Sequence, residues 1–92
     1  MNQLVRKVKV KNKMGLHTRP ATAIVKLLQN SKSHVSFTYK RETVNAKSIL
    51  SILMLAAKKN SSITITCFGD DANNTMEMLV MAFEEQFGEI SA

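Results

Sequence analysis

The chain changes from a strand-like to a helix-like pattern within residues 4–28, LVRKVKVKNKMGLHTRPATAIVKLL. Over residues 4–11, apolar side chains alternate with lysines, which is the period of a strand with one buried face. Thr18 can serve as a helix N-cap, Pro20 suits a first helical turn, and apolar residues then recur at helical spacing. We therefore predict a strand at 4–11 and a helix at about 18–30.

The middle of the chain contains two further strand-like segments separated by a short polar break. Residues 35–39 alternate between apolar and polar side chains, and residues 43–44 follow the break, which predicts two strands joined as a hairpin. A tight hairpin turn favours Asn-Gly or Asp-Gly because its central residues need positive φ, whereas Lys40 and Arg41 stand here. We expect a turn that is either wider than two residues or strained.

A second helix, a fourth strand and a third helix complete the pattern. Residues 48–57 have a helical pattern but are apolar on more than one side, so we expect part of that surface to stay exposed. Asn60 tolerates a left-handed backbone and is expected to end this helix. Residues 63–67 alternate as a strand, Gly69 turns the chain, and residues 70–83 begin with two aspartates and carry a helical apolar stripe. The predicted class is α+β in the order βαββαβα, with one four-stranded antiparallel sheet covered on one face by three helices.

The size of the chain favours a binding or carrier module over an autonomous enzyme. With 92 residues, 45% of them hydrophobic, we expect one domain over residues 1–92 whose core is too small to enclose a deep cleft. Cys67 is the only cysteine, which excludes an internal disulfide and favours a reducing cytoplasm. The N-terminal segment lacks the continuous apolar stretch of a signal peptide or membrane span, so we expect neither export nor membrane insertion.

The positive charge is concentrated in the first half of the chain. All ten charged residues at positions 1–41 are Lys or Arg, whereas positions 42–92 carry three basic and seven acidic residues, which gives a net charge of +6. Such a bias indicates an acidic partner surface, a phosphate group or a nucleic acid. The first predicted strand holds no aromatic residue on which bases could stack, so nucleic acid is the weaker alternative.

A candidate reactive histidine lies immediately before the first predicted helix, in MGLHTRPA at residues 14–21. A phosphoryl group on His17 would meet free backbone N–H donors, the guanidinium of Arg19 and a positive helix dipole worth about 0.3–1 kcal/mol. The same dipole disfavours a positively charged ring, so we expect His17 to be neutral and nucleophilic. Gly15 is expected to give the loop freedom to present the ring.

Two motifs in this sequence resemble those of HPr, the histidine phosphocarrier family of the bacterial phosphoenolpyruvate-dependent phosphotransferase system. They are GLHTRPA at residues 15–21 and TVNAKSIL at residues 43–50, and 31 positions separate His17 from Ser48, as in that family. The resemblance implies an open-faced β-sandwich that needs no cofactor. It also implies that enzyme I phosphorylates Nδ1 of His17, that Arg19 neutralises the phosphate, and that enzyme IIA domains accept it.

The same resemblance implies a regulatory site and a docking surface. Ser48 corresponds to the serine that HPr kinase/phosphorylase modifies in many lineages, although a serine at this place is equally well explained as a helix N-cap. An exposed apolar patch with basic residues around it would dock a monomeric carrier on enzyme I and the acceptors. The residues predicted to form this surface are Thr18, Arg19, Lys26, Lys47, Ile49, Leu50 and Leu53.

Three departures from the family pattern concern partner choice and output rather than His17 and Arg19. Lys40 and Arg41 replace the usual Asn-Gly turn, Ser51 stands where glycine is frequent, and the net charge is unusually positive. Sugar uptake and purely regulatory signalling both stay open as outputs. The alternative of a different class is a basic nucleic-acid or protein-binding module with an inactive histidine, whose binding would be sensitive to salt and unaffected by His17→Ala.

The remaining candidate residues have simpler explanations. His34 is expected to be structural, Cys67 to be a small buried apolar residue, and the stripe of the last helix to be core. The sequence contains no P-loop, metal-ligand spacing or catalytic triad. A cofactor is therefore not expected on these grounds either.

Overall fold

Residues 3–89 are described by the computed structural model, in which four strands and three helices follow one another in the predicted order. The strands are β1 (Gln3–Lys9), β2 (His34–Tyr39), β3 (Glu42–Asn45) and β4 (Ser62–Phe68). The helices are α1 (Thr18–Leu28), α2 (Ile49–Met54) and α3 (Ala72–Glu84), and α3 is followed by a short 3-10 turn, Gln86–Gly88. The order βαββαβα is confirmed.

The four strands form one antiparallel sheet in the order β1-β4-β2-β3. The last strand of the chain therefore lies between the first two. Val5 of β1 pairs with Thr66 of β4, and Phe37 of β2 pairs with Ile65 of β4. This insertion joins the two halves of the sequence in one sheet.

One face of the sheet is buried beneath the helices. In β4, Ile63, Ile65 and Cys67 are buried, whereas Thr64 and Thr66 on the opposite face are partly exposed. Helix α3 packs on β1 and β4, and α1 packs against α2 and α3. The largest fully buried apolar side chains are Val10, Ile24, Leu28, Phe37, Ile52, Ile63, Ile65, Met76, Leu79 and Phe83. Helices on a single face make this the open-faced β-sandwich that the sequence predicts.

Burial also raises the pKa of the Cys67 thiol to about 11, in keeping with its interpretation as a small apolar residue.

Element ends differ from the predicted boundaries by a few residues. The strand predicted over 4–11 ends at residue 9, and the helix predicted over 18–30 ends at residue 28. The second helix is only six residues long instead of extending over 48–57. Ala56 follows it with a φ of 51°, a left-handed conformation that a regular helix cannot accommodate.

Two polar positions adopt the left-handed backbone that the sequence analysis anticipates. Lys40 has a φ of 56° in a two-residue turn, because Tyr39 pairs directly with Glu42, and the hairpin is therefore strained rather than widened. Asn60 has a φ of 74°, but it lies in the turn before β4, where its N–H donates to Val10 O at 2.7 Å. The expectation that Asn60 ends α2 is wrong, since that helix has already stopped.

Asp71 connects the start of α3 to the loop between α1 and β2. Its carboxylate accepts hydrogen bonds from the Ser33 hydroxyl and from the Lys32 N–H at 2.9 Å. These donors lower the pKa of Asp71 to about 2, the Ser33 hydroxyl having the larger effect. Asp71 occupies the N-cap position of α3, but its side chain makes no capping hydrogen bond to that helix.

Candidate functional site

Gly15 holds the loop in front of α1 in place. It is buried with a φ of 68°, and a Cβ at this position would lie 2.2 Å from Ala57 O. The next residue, Leu16, is also buried and donates its N–H to Ala57 O at 3.0 Å. The expectation that Gly15 makes the loop free to move is therefore wrong: the glycine is needed because the two segments approach too closely for any side chain.

His17 occupies the N-cap position of α1, with an extended backbone of φ −82° and ψ −166°. The prediction that Thr18 is the N-cap is wrong, because Thr18 already has the place of the first helical residue. Ala21 donates its N–H to His17 O at 3.1 Å, and Pro20 has no N–H. By helix geometry, the amides of Thr18 and Arg19 lack intrahelical partners, so this helix end offers two donors and its positive dipole to an anion.

The imidazole of His17 is held on one edge by Glu89. Its Nε2 lies 2.8 Å from Oε2 and 3.1 Å from Oε1 of the carboxylate, and the two side chains are 28% and 15% exposed. Asn12, which is fully buried, donates from Nδ2 to Glu89 Oε1 at 2.7 Å. The Asn12 hydrogen bond, then that of His17, and the nearby charge of Arg19 lower the pKa of Glu89, so it is a carboxylate at neutral pH.

This contact distinguishes the two ring nitrogens of His17. A carboxylate accepts a hydrogen bond only, so Nε2 must carry the proton. Within residues 3–89, no hydrogen bond to Nδ1 is found. A neutral ring with its proton on Nε2 has its lone pair on Nδ1, and Nδ1 is then the nitrogen that can attack an electrophile.

Arg19 is exposed in the first turn of α1, two residues after the histidine. It lines a shallow surface cleft of about 380 Å³ together with Pro20, Phe87, Gly88 and Glu89. A guanidinium here can neutralise an anion bound at the amino end of the helix without displacing any buried group.

Ser48 and α2 form a second region of interest. Ser48 is the N-cap of α2, and its Oγ accepts a hydrogen bond from Ser51 N at 3.2 Å, so its alternative explanation as a cap is correct. Leu50 and Met54 are 68% and 74% exposed. Leu53 instead packs partly against the core, so it contributes less exposed surface than the sequence suggests.

Two of the three basic residues predicted around α2, Lys26 and Lys47, lie at its edge, whereas Arg19 lines the cleft beside Glu89. Lys26, Lys47 and Ile49 line one surface cleft of about 510 Å³ between α1 and α2. Lys47 is oriented by donating from Nζ to Ser31 O at 2.8 Å. Met14, which is 72% exposed, adds a further apolar side chain. It lies on the loop before α1, which is hydrogen-bonded to the segment after α2.

The sequence does not predict four residues near these sites: Asn12, Met14, Met54 and Glu89. Asn12 and Glu89 lie 77 positions apart in the chain, and no local pattern indicates that they meet. Met14 directly precedes the motif at 15–21, and Met54 lies one helical turn after Leu50 in a segment that is apolar on more than one side. His34 is on the open face of the sheet, where its ring stacks on Phe68 with centroids 6.5 Å apart, which agrees with a structural role.

The fold and the histidine site together define the class of small phosphocarrier domains built as open-faced β-sandwiches. A family model described as "PTS HPr component phosphorylation site" matches residues 4–85. The chain therefore belongs to the HPr family.

Relatives and solved structures agree with this assignment. The phosphocarrier protein HPr of Chlamydia muridarum is 43% identical over 81 residues, covering 88% of this chain and 78% of that protein. The crystal structure of HPr-C-His from Thermoanaerobacter tengcongensis has a TM-score of 0.89 at 32% identity, covering 99% of this chain and all of that one. An HPr dimer from the same bacterium has a TM-score of 0.75 at 34% identity, covering 89% and 94%. For this chain the monomeric state stays a prediction.

Within residues 3–89, none of the helices has the length and apolar character needed to cross a membrane.

Proposed function

We propose that this chain accepts a phosphoryl group from phospho-enzyme I on Nδ1 of His17 and donates it to enzyme IIA domains. The observation that supports this most directly is the position of the ring at the amino end of α1, with Nε2 bonded to Glu89 and Nδ1 left as the nucleophilic nitrogen. The proposed carrier works in the cytoplasm as one domain over residues 1–92. Its partners decide whether the output is sugar uptake or regulation.

In the proposed transfer, the groups at the amino end of α1 bind the phosphoryl group. The lone pair of Nδ1 attacks phosphorus while the bond from phosphorus to the donor's leaving atom breaks. The amides of Thr18 and Arg19 and the Arg19 guanidinium compensate the charge on the phosphoryl oxygens. The same groups hold the phosphoryl group until an acceptor attacks it in turn, so the chain acts as a carrier rather than as a catalyst with its own turnover.

The proposed docking surface is the apolar patch of Met14, Ile49, Leu50 and Met54. Large exposed apolar side chains grouped on one surface are typical of protein interaction sites. Lys26 and Lys47 lie beside Ile49 of this patch, which suits an acidic partner surface. The proposed surface extends to Thr18 and Arg19, beside the histidine at the amino end of α1.

The chemistry of the bound label tests the proposed function. The protein is incubated with enzyme I, magnesium and phosphoenolpyruvate carrying labelled phosphate, and the labelled protein is then treated with acid and with base. We expect label that is lost in acid and retained in base, as for a phosphohistidine. A folded protein that takes up no label from a cognate enzyme I would contradict the carrier and favour the basic binding module.

Replacing Arg19 with alanine should slow phosphoryl transfer by about 10- to 100-fold, because the variant lacks the guanidinium that compensates phosphoryl charge. The side chain is exposed, so the free energy of unfolding should change by less than about 0.5 kcal/mol. Rapid-quench measurement of transfer from phospho-enzyme I gives the rate. Arg41→Ala, which removes the same charge from the exposed hairpin turn, is the matched control, and equal rates in the two variants would refute the role of Arg19.

Phosphorylation of Ser48, or its mimic Ser48→Asp, should weaken binding to enzyme I and enzyme IIA by about tenfold, because negative charge beside the patch repels acidic partners. The fold should be retained, since an anion at the amino end of α2 is compatible with its dipole. Isothermal titration with each partner measures the effect. Ser62→Asp on β4 is the control for added charge, and unchanged affinities for Ser48→Asp would remove the case for regulation at this serine.

A further inference from the structure

The contact between Glu89 and His17 depends on an unusual backbone after α3. Gln86, Phe87 and Gly88 have φ values of 56°, 54° and 74°, three successive left-handed residues that reverse the chain at the end of the helix. Only the third is a glycine, so two of the three conformations are unfavourable for their residue types. A strained turn persists only where its surroundings hold it in place.

Several contacts hold this turn. Asn12 donates from Nδ2 to Gln86 O at 2.9 Å, the same amide group that binds Glu89. The Phe87 ring packs edge-to-face on Phe83 of the core, with centroids 4.8 Å apart. Glu89 N donates to Gln86 O at 2.9 Å. Since both partners of the Asn12 side chain are acceptors, its amide can only be oriented with the NH₂ group toward them.

We propose that Glu89 is a positioning residue for phosphoryl transfer: it keeps the proton of His17 on Nε2, directs attack to Nδ1 and supplies the counter-charge of the phosphorylated ring. This inference rests on the proposed function of His17. Glu89 touches neither the phosphoryl group nor a partner protein in this scheme, and acts only through the imidazole. Its position lies outside the stretch matched by the family model, which ends at residue 85.

The proposed step leaves a positive charge on the ring, which such a partner compensates. In the free protein Nε2 carries the proton and Nδ1 the lone pair. When the bond from Nδ1 to phosphorus forms and the donor bond breaks, no proton leaves the ring, which becomes an Nδ1-phospho-imidazolium with a positive charge. The Glu89 carboxylate, 2.8 Å from Nε2, compensates that charge in a half-buried setting, as an aspartate does for a catalytic imidazolium.

The same contact keeps the phosphoryl group transferable. An imidazole that retains its Nε2 proton is a neutral leaving group when the bond to phosphorus breaks, whereas a deprotonated ring would have to leave as an anion. Donation to the acceptor then returns His17 to its starting form, with the proton still on Nε2. Glu89 therefore keeps the same proton on Nε2 during acceptance and during donation.

Nitrogen NMR of the unphosphorylated protein tests the ring state independently of activity. The protein is labelled with ¹⁵N-histidine, and the spectrum is recorded at alkaline pH. The wild-type nitrogen shifts should then be those of a ring with a protonated Nε2 and an unprotonated Nδ1. In Glu89→Ala the two nitrogen shifts should move toward those of an imidazole in water, while Glu89→Gln, which keeps a carbonyl acceptor, should retain the wild-type pattern. Glu85→Gln, an equal change of charge four residues away, is the control. Unaltered shifts in Glu89→Ala would overturn the inference.

Transfer kinetics test the counter-charge. With phospho-enzyme I as donor, Glu89→Ala should be phosphorylated about tenfold more slowly, and Glu89→Gln should recover only part of that loss because it restores the hydrogen bond without the charge. Glu85→Gln should match the wild-type protein. If the wild type takes up label and all three variants match its rate, the inference fails while the carrier stands. If the wild type takes up none, the proposed function fails, and the inference about transfer fails with it.

Discussion

Replacing His17 with alanine should abolish phosphoryl transfer to this protein. Without the imidazole there is no nucleophile at the amino end of α1, and the loss should exceed about 10³-fold in rate, with no label above background. His17 makes no side-chain cap to its own helix, so α1 should persist and the circular dichroism spectrum should stay that of the wild type. Labelling with phosphoenolpyruvate and enzyme I measures the effect directly.

The second histidine of the chain provides the matched control for this experiment. His34 is exposed on β2 and stacks on Phe68, on the face of the sheet away from the helices. His34→Ala should take up label at the wild-type rate, because its ring has no role in transfer. Retained label in His17→Ala, or label lost from His34→Ala in a folded protein, would assign the phosphorylated residue differently.

Replacing Gly15 with alanine should give the largest loss of stability among the site variants, about 2–4 kcal/mol. Two costs combine: a left-handed backbone at a φ of 68° becomes unfavourable for the new residue, and the added methyl group would lie 2.2 Å from Ala57 O. The loop must move to relieve this contact, so transfer to His17 should slow as well. Urea unfolding followed by circular dichroism gives the free energy.

Gly88→Ala separates these two costs. Gly88 has a similar φ of 74°, but no atom lies within 4 Å of the position where its Cβ would stand. This variant should therefore lose only the backbone cost of about 1–2 kcal/mol. A loss in Gly15→Ala no larger than that in Gly88→Ala would mean that the close approach to Ala57 contributes nothing to the effect.

Much of the fold could be predicted because its causes are local. The switch from alternation to helical spacing between β1 and α1, and the alternation of β4, are properties of short segments whose apolar faces must be buried. Element ends were less accurate, since α2 stops at Met54 through the left-handed Ala56 rather than at Asn60. The left-handed conformation of Ala56 is not indicated by its residue type.

The candidate site could be predicted only in part, because some of its contacts join residues that are distant in sequence. His17 and Arg19 are close in sequence and share one helix end, so their chemistry is visible in the motif. The role of Gly15 is not visible in the motif, because its neighbour Ala57 lies 42 positions away and is brought to it by the fold. Leu53 belongs to the predicted exposed patch, but a six-residue helix turns some of its apolar residues toward the core, and Leu53 is one of them.

The sequence by itself determined the class of fold, the helix end that presents His17, and the basic and apolar residues along α1 and α2. These follow from hydrophobic period and from neighbouring residues, which act over one or two turns of helix or a few residues of strand. Only the tertiary structure decided which nitrogen of His17 is held. Glu89 lies 72 positions from that ring, and it reaches Nε2 because the chain reverses after α3 on a turn that Asn12 and the aromatic core hold in a left-handed backbone. Such a contact depends on long-range packing that overcomes local preference, and no short stretch of sequence carries it.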